Sequence, residues 1–177
     1  MNEELQIRLT ELSKVKDEFL KPLKVWSDDE LQWQPAEGWS ANQVIEHIMS
    51  AEMGTLGYMK KKSSSGWDTL EVTGEEHIKN SIAVNTRLAS HERYKAPSVL
   101  PEPTGHFTFA QMTTHWGRLR KEMEEFFATV NPEHYDRLVF RQPAAGMLNV
   151  LQAIEFMFNH IRHHMAQIER IKAGQGI

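Results

Sequence analysis

The chain of 177 residues contains no cysteine. That excludes disulfide scaffolds, thiolate metal sites, iron–sulfur clusters, a cysteine nucleophile and any redox Cys-x-x-Cys motif. Long apolar runs are missing too: nothing approaches the roughly 20 residues that a membrane-crossing helix needs. The charged, amphipathic start MNEELQIRLTELSK lacks the apolar region of a signal peptide. The expectation is a soluble, cytoplasmic protein without a membrane partner. Nor is there a basic surplus. Twenty Lys and Arg against 24 Asp and Glu give a formal charge of -4, the wrong sign for a chain whose partner is nucleic acid. At this length folding buries roughly 70% of the unfolded surface, so one domain over residues 1–177 needs neither disulfide nor structural metal.

Proline is sparse, and its seven positions (22, 35, 97, 101, 103, 132 and 143) leave uninterrupted tracts of 36–96, 104–131 and 144–177 in which long helices can form. Three starts carry capping-box signatures: Ser40 with Gln43, Thr108 with Gln111, and Asn149 with Gln152. Trp39 is placed to staple onto Val44. Apolar residues at helical spacing predict helices over 2–25 (Leu5, Leu9, Leu12, Val15, Phe19, Leu23), distorted at Pro22, and over 41–60 (Val44, Ile48, Ala51, Met59). A shorter, polar helix is expected over 75–91. Two more are expected over 109–130 (Met112, Trp116, Leu119, Met123, Phe127) and 150–173 (Ala153, Met157, His160, His164, Ile168, Ile171). No strand alternation stands out. The polar stretch 60–67 reads as a loop and the Pro-rich 96–107 as an extended crossover. The fold class is therefore all-α, a four-helix bundle with a long crossover and an extra short helix.

What the chain has in place of cysteine is histidine, nine in all. His160 and His164 stand four apart on the apolar stripe of the last helix, so both imidazoles share one face a turn apart. Nine histidines in 177 positions give about 0.4 such pairs by chance, so the spacing by itself is equally well read as two hydrogen-bonded histidines at the core edge. A third donor is needed. His47 follows Val44 by three and precedes Ala51 by four, on or beside the buried face of the second long helix. Taken alone, such a residue is more often a satisfied core histidine. Two packed helices can nevertheless bring three imidazoles to one cation and leave a coordination position open. His163 lies about 100° around the helix from His164 and is expected at the surface or in a helix–helix contact. His115 and His106 are possible neighbours of a pocket, with Trp116 and Met157 as further wall candidates. His77, His91 and His134 are expected in solvent.

Several segments together resemble the DinB-like (DinB/YfiT-like) family of metal-binding four-helix-bundle proteins, which is distinct from the DNA polymerase sharing the name. They are Leu31 to Pro35 followed by Gly38-Trp39-Ser40, Val44-Ile45-Glu46-His47-Ile48 with Glu52, Ala96 to Pro101, Pro143-Ala144-Ala145-Gly146, and His160-x-x-x-His164-x-x-Gln167-Ile168. The resemblance implies one divalent ion held by His47, His160 and His164, with Zn, Ni, Fe or Mn suited to imidazole donors. Gln167, one turn beyond His164, is a candidate to orient that ring or else a structural amide.

The resemblance also implies a homodimer and a small-molecule substrate, and it leaves three functions open. In the first, the open position takes the thiolate of bacillithiol or glutathione, and the enzyme is a thiol S-transferase acting on an electrophile. In the second it takes hydroxide, and the enzyme is a metal-dependent hydrolase. In the third the bundle binds metal without catalysis, in stress response or as an interaction module. Glu46 and Glu155 are not clearly directed inward, and the lack of an evident general base favours the first.

Overall fold

The computed structural model describes residues 2–90 and 100–177. Six α-helices account for most of the described residues: α1 (Glu3–Leu20), α2 (Asp28–Gln32), α3 (Ala41–Ser63), α4 (Glu75–Ala89), α5 (Phe109–Ala128) and α6 (Val150–Gln175). A hairpin of β1 (Leu138–Gln142) and β2 (Gly146–Asn149) precedes α6. The long helices α1, α3, α5 and α6 form the bundle, and α4 is the extra short helix. His91 and the 96–99 part of the expected crossover lie outside the described residues. Among the described residues no helix is long and apolar enough to cross a membrane.

The three expected caps are present, each with its reciprocal pair of hydrogen bonds: Ser40 with Gln43, Thr108 with Gln111 and Asn149 with Gln152. Burial follows the apolar stripes. Leu5, Leu9, Leu12, Val15 and Phe19 of α1 meet Val44, Ile48 and Met59 of α3, Met112, Trp116, Met123 and Phe127 of α5, and Ala153, Met157, Ile168 and Ile171 of α6 in one core. The central element is α6, which packs against α1, α3 and α4, while α5 packs on α3.

Four expectations need correction. The first helix ends at Leu20 instead of continuing to residue 25, because Pro22 has no N–H for the next helical bond; Pro22–Val25 forms a single 3-10 turn. The helix starting at Ala41 runs to Ser63, three residues into the stretch taken as a loop, with serine hydroxyls bonding back to carbonyls of its last turn. The helix α2 was not foreseen, although Ser27 and Glu30 carry the same capping box as the longer helices. The hairpin was not foreseen either. In it Gly146, at φ +75, supplies a left-handed turn position, and Gln142 accepts from the backbone N–H groups of Ala144 and Ala145 at 2.6 Å.

Candidate metal centre

The capped start of α3 fixes the azimuth of everything after it on that helix. His47 consequently faces α6 and is only 4% exposed. From α6, His160 and His164 project toward it. The three Nε2 atoms converge: that of His160 is 3.3 Å from His47 and 3.1 Å from His164. One donor atom from each residue lies within 4.8 Å of the others.

These contacts are not a satisfied hydrogen-bond network. An imidazole Nε2 has one in-plane site, holding either a proton or a lone pair. The Nε2 of His160 therefore cannot serve both neighbours in the same way at once. Burial keeps the rings neutral. His47 is pushed down to about 4 by desolvation and then by His163. His164 is pushed down to about 3 by desolvation and then by His47, against the hydrogen bond to Gln167. His160 is held well below the ordinary histidine value by burial, then by His164 and His47. Three neutral rings with converging nitrogens suit a cation. Nitrogens held 2.0–2.1 Å from a tetrahedral ion stand about 3.3 Å apart; two of the three pairs, at 3.3 and 3.1 Å, match that spacing, and the His47–His164 pair lies within 4.8 Å.

The surroundings orient the rings. His164 donates from Nδ1 to Gln167 Oε1 at 2.8 Å, which puts its proton on Nδ1 and leaves Nε2 as the donor atom. The indole of Trp39 lies 4.8 Å from the His47 ring, tilted by 46°. Phe156, one turn before His160, stacks on it at 5.6 Å and 13°. Nδ1 of His47 is buried without a hydrogen-bond partner among the described residues. Trp39 and Phe156 were missed as neighbours of the site; the i, i+4 spacing of Phe156 to His160 is the signal that finds the second.

The nearby carboxylates are engaged elsewhere. Glu46, adjacent in sequence to His47, accepts from the backbone N–H groups of Thr104 and Gly105, each at 2.8 Å. Its helical neighbours Asn42 and Gln43 bind carbonyls of the same loop, so three side chains of α3 hold residues 103–107. Glu52 is buried between the Trp116 indole N–H at 2.7 Å and the Arg120 guanidinium at 2.6 Å. Glu155 is exposed.

The remaining histidines separate. His163 is buried and donates to the Leu88 carbonyl at 2.9 Å, a contact between α6 and α4. His77 is half-buried, and its Nδ1 accepts from the Gly74 N–H at the start of α4. His134 contradicts the expectation of a solvated ring: it stacks on Trp67 at 5.7 Å and 4°, with its side chain only 12% exposed. An aromatic partner 67 positions away hides it from water. Of the four wall candidates, His106 and His115 are exposed, the latter edge-on to Phe107 at 5.6 Å. Trp116 and Met157 are core residues, the former packed edge-on to Phe19 at 6.1 Å.

The DinB superfamily pattern matches residues 11–168. The chain belongs to the DinB superfamily. All three imidazoles lie within that match. Among similar proteins, the uncharacterized protein YuaE of Bacillus subtilis is 26% identical over 151 residues, 85% of this chain and 88% of YuaE. The solved structure of YfiT from Bacillus subtilis, described as a probable metal-dependent hydrolase with an unusual four-helix bundle topology, superposes with a TM-score of 0.62. That match covers 99% of this DinB-superfamily chain and 90% of YfiT at 16% identity, which is a likeness of fold.

Proposed function

We propose that this protein is a divalent-metal-dependent enzyme in which His47, His160 and His164 hold the ion, and that it transfers a low-molecular-weight thiol, glutathione or bacillithiol, to an electrophilic small molecule. The observation that carries the reading is the convergence of three neutral Nε2 atoms with no carboxylate turned toward them among the described residues. A divalent ion with three neutral ligands keeps its full charge and lowers the pKa of a water or thiol at its open position toward neutrality.

The chain's own groups do the rest. Gln167 holds His164 in the tautomer that presents Nε2. Trp39 and Phe156 cover ring faces of His47 and His160 and keep water from them. Glu46 is spent on the 103–107 loop and Glu52 on Arg120. A water nucleophile benefits from a base that positions it and takes its proton. A thiol ionises at about 8.5 unaided, and so depends less on such a base. With no cysteine in the chain, the sulfur arrives with the co-substrate.

The hydrolase reading draws its support from the description of YfiT. Protein reconstituted with Zn(II), Ni(II), Fe(II) or Mn(II) and assayed with each thiol against a chlorodinitroarene separates the two. Thiol-dependent conjugation lost in His164→Ala is expected. Metal-dependent cleavage of esters or lactones without any thiol-dependent rate overturns the transferase.

A further inference from the structure

The rings of the triad are not supported alike. His164 donates from Nδ1 to Gln167 Oε1 at 2.8 Å. His47 has no such acceptor, because its Nδ1 is buried and unpartnered among the described residues. Its Nε2 is turned to His160 at 3.3 Å, so when Nε2 serves as the donor atom the ring proton sits on Nδ1. A ring that lacks an orienting hydrogen bond is free to turn, and a buried N–H without an acceptor is costly. His47 therefore needs support of another kind.

Outside the triad, the ring lying against His47 among the described residues is the indole of Trp39, with centroids 4.8 Å apart and planes tilted by 46°. The placement is built into the start of α3. Trp39 precedes the Ser40 cap and stands eight positions before His47, so its half-buried side chain reaches forward along the first two turns of the helix. The cap fixes where that reach begins: the Ser40 N–H donates to the Gln43 side chain at 3.0 Å, and the Gln43 N–H to Ser40 Oγ at 3.2 Å. Gly105, at φ +72, packs on the same two residues, where an added Cβ would stand 3.0 Å from Gln43 Cγ and 3.5 Å from Ser40 Oγ. Gln43 and Glu46 in turn bond the loop that carries Gly105. A staple onto Val44 asks only for an apolar residue before the cap. It does not account for an indole laid against a ligand ring.

We propose that Trp39 is a positioning residue of the metal centre: it holds the His47 ring with Nε2 turned inward, and its π face attracts the positive charge that the imidazole takes on when Nε2 is ligated. The inference rests on the metal reading above, though not on the choice between thiol transfer and hydrolysis. Indole offers cations the best of the aromatic faces, within about 6 Å of the ring centroid. An N–H group also donates weakly to such a face. Both attractions strengthen as the imidazole becomes more positive. Trp39 consequently favours the metal-bound protein over the metal-free one, which is an effect on affinity as well as on stability.

The test measures zinc affinity by competition with a chromophoric chelator, and follows Co(II) binding by the quenching of tryptophan emission that this open-shell ion causes at short range. Trp39→Leu should weaken zinc binding by about tenfold, whereas Trp39→Phe, which keeps an aromatic face, should weaken it by no more than about threefold. Trp39→Met should behave as Leu does, and it replaces Leu if the branched side chain disturbs the cap and lowers helicity. Trp39→Phe should also lose most of the cobalt quenching, although the other tryptophans remain. Zinc bound by the Leu and Met variants within twofold of the wild type overturns the proposal, as does cobalt quenching that survives Trp39→Phe. A Phe variant as weak as Leu overturns it too, since Trp39 would then act as a staple alone. No zinc bound by the wild type overturns the metal reading and this proposal with it.

Discussion

The carboxylate of Glu52 on α3 meets the guanidinium of Arg120 on α5 at 2.6 Å, with the side chains only 1% and 7% exposed. Burial pushes Glu52 up and Arg120 down, and each opposes the shift of the other. A pair so placed is worth little against an apolar pair of equal volume, yet breaking it strands one charge in the core. Arg120→Met alone should therefore cost about 3–5 kcal/mol. The double variant Glu52→Leu/Arg120→Met should recover only part of that loss, because the buried Trp116 indole N–H then loses its acceptor, at about 1–3 kcal/mol. Urea midpoints of the two variants against the wild type check both statements.

Gln167 should act on metal affinity through His164, whose Nδ1 it accepts from at 2.8 Å. Replacing it with Leu removes the acceptor for Nδ1, so the ring is free to change tautomer and rotate. Loss of such an orienting partner typically weakens metal binding by about 10- to 100-fold. Competition with a chromophoric chelator should show a drop of that order, with far-UV circular dichroism unchanged.

Acid should destabilise the metal-free protein. His47 at about 4 and His164 at about 3 lie below the ordinary 6.5, and His160 lies well below it. Between those values the unfolded chain binds protons that the folded chain refuses, so stability is complete above about pH 6.5 and falls as the pH drops toward 4 and below. The triple variant His47→Gln/His160→Gln/His164→Gln should lose less stability between pH 7 and pH 5 than the wild type does. Urea titrations of both proteins at the two pH values read the difference.

Glu46 should prove to be a loop anchor and not a base. Glu46→Ala leaves the N–H groups of Thr104 and Gly105 without their acceptor. Amide exchange at those two positions should accelerate at least tenfold, equivalent to about 1.4 kcal/mol, while α3 away from that turn stays protected. Unchanged exchange would contradict the anchoring role.

How much of this was legible before the structure depends on the range of the interactions involved. His160 and His164 are four residues apart, and Ser40 caps the helix that aims His47, so each half of the cluster was legible in local spacing, while the joining of the two halves across 113 positions was implied only by the family resemblance. The long helices were equally local, although Pro22 cut the first one earlier than its apolar pattern suggested. The hairpin was not. Leu138, Val139 and Phe140 are all buried, because an irregularity in the β1–β2 register falls between Leu138 and Phe140 and both faces are covered. No alternation survives for the eye to find. Long-range partners were invisible for the same reason: Arg120 stands 68 positions from Glu52, and Trp67 stands 67 positions from His134.

In the proposed centre, three imidazoles from two helices hold one divalent ion. Purified protein dialysed against excess Zn(II) and then freed of unbound metal should show one ion per chain by elemental analysis. His47→Ala and His160→Ala, each checked for retained helicity, should show almost none. Stoichiometric zinc in either variant, or none in the wild type, would contradict this ligand set.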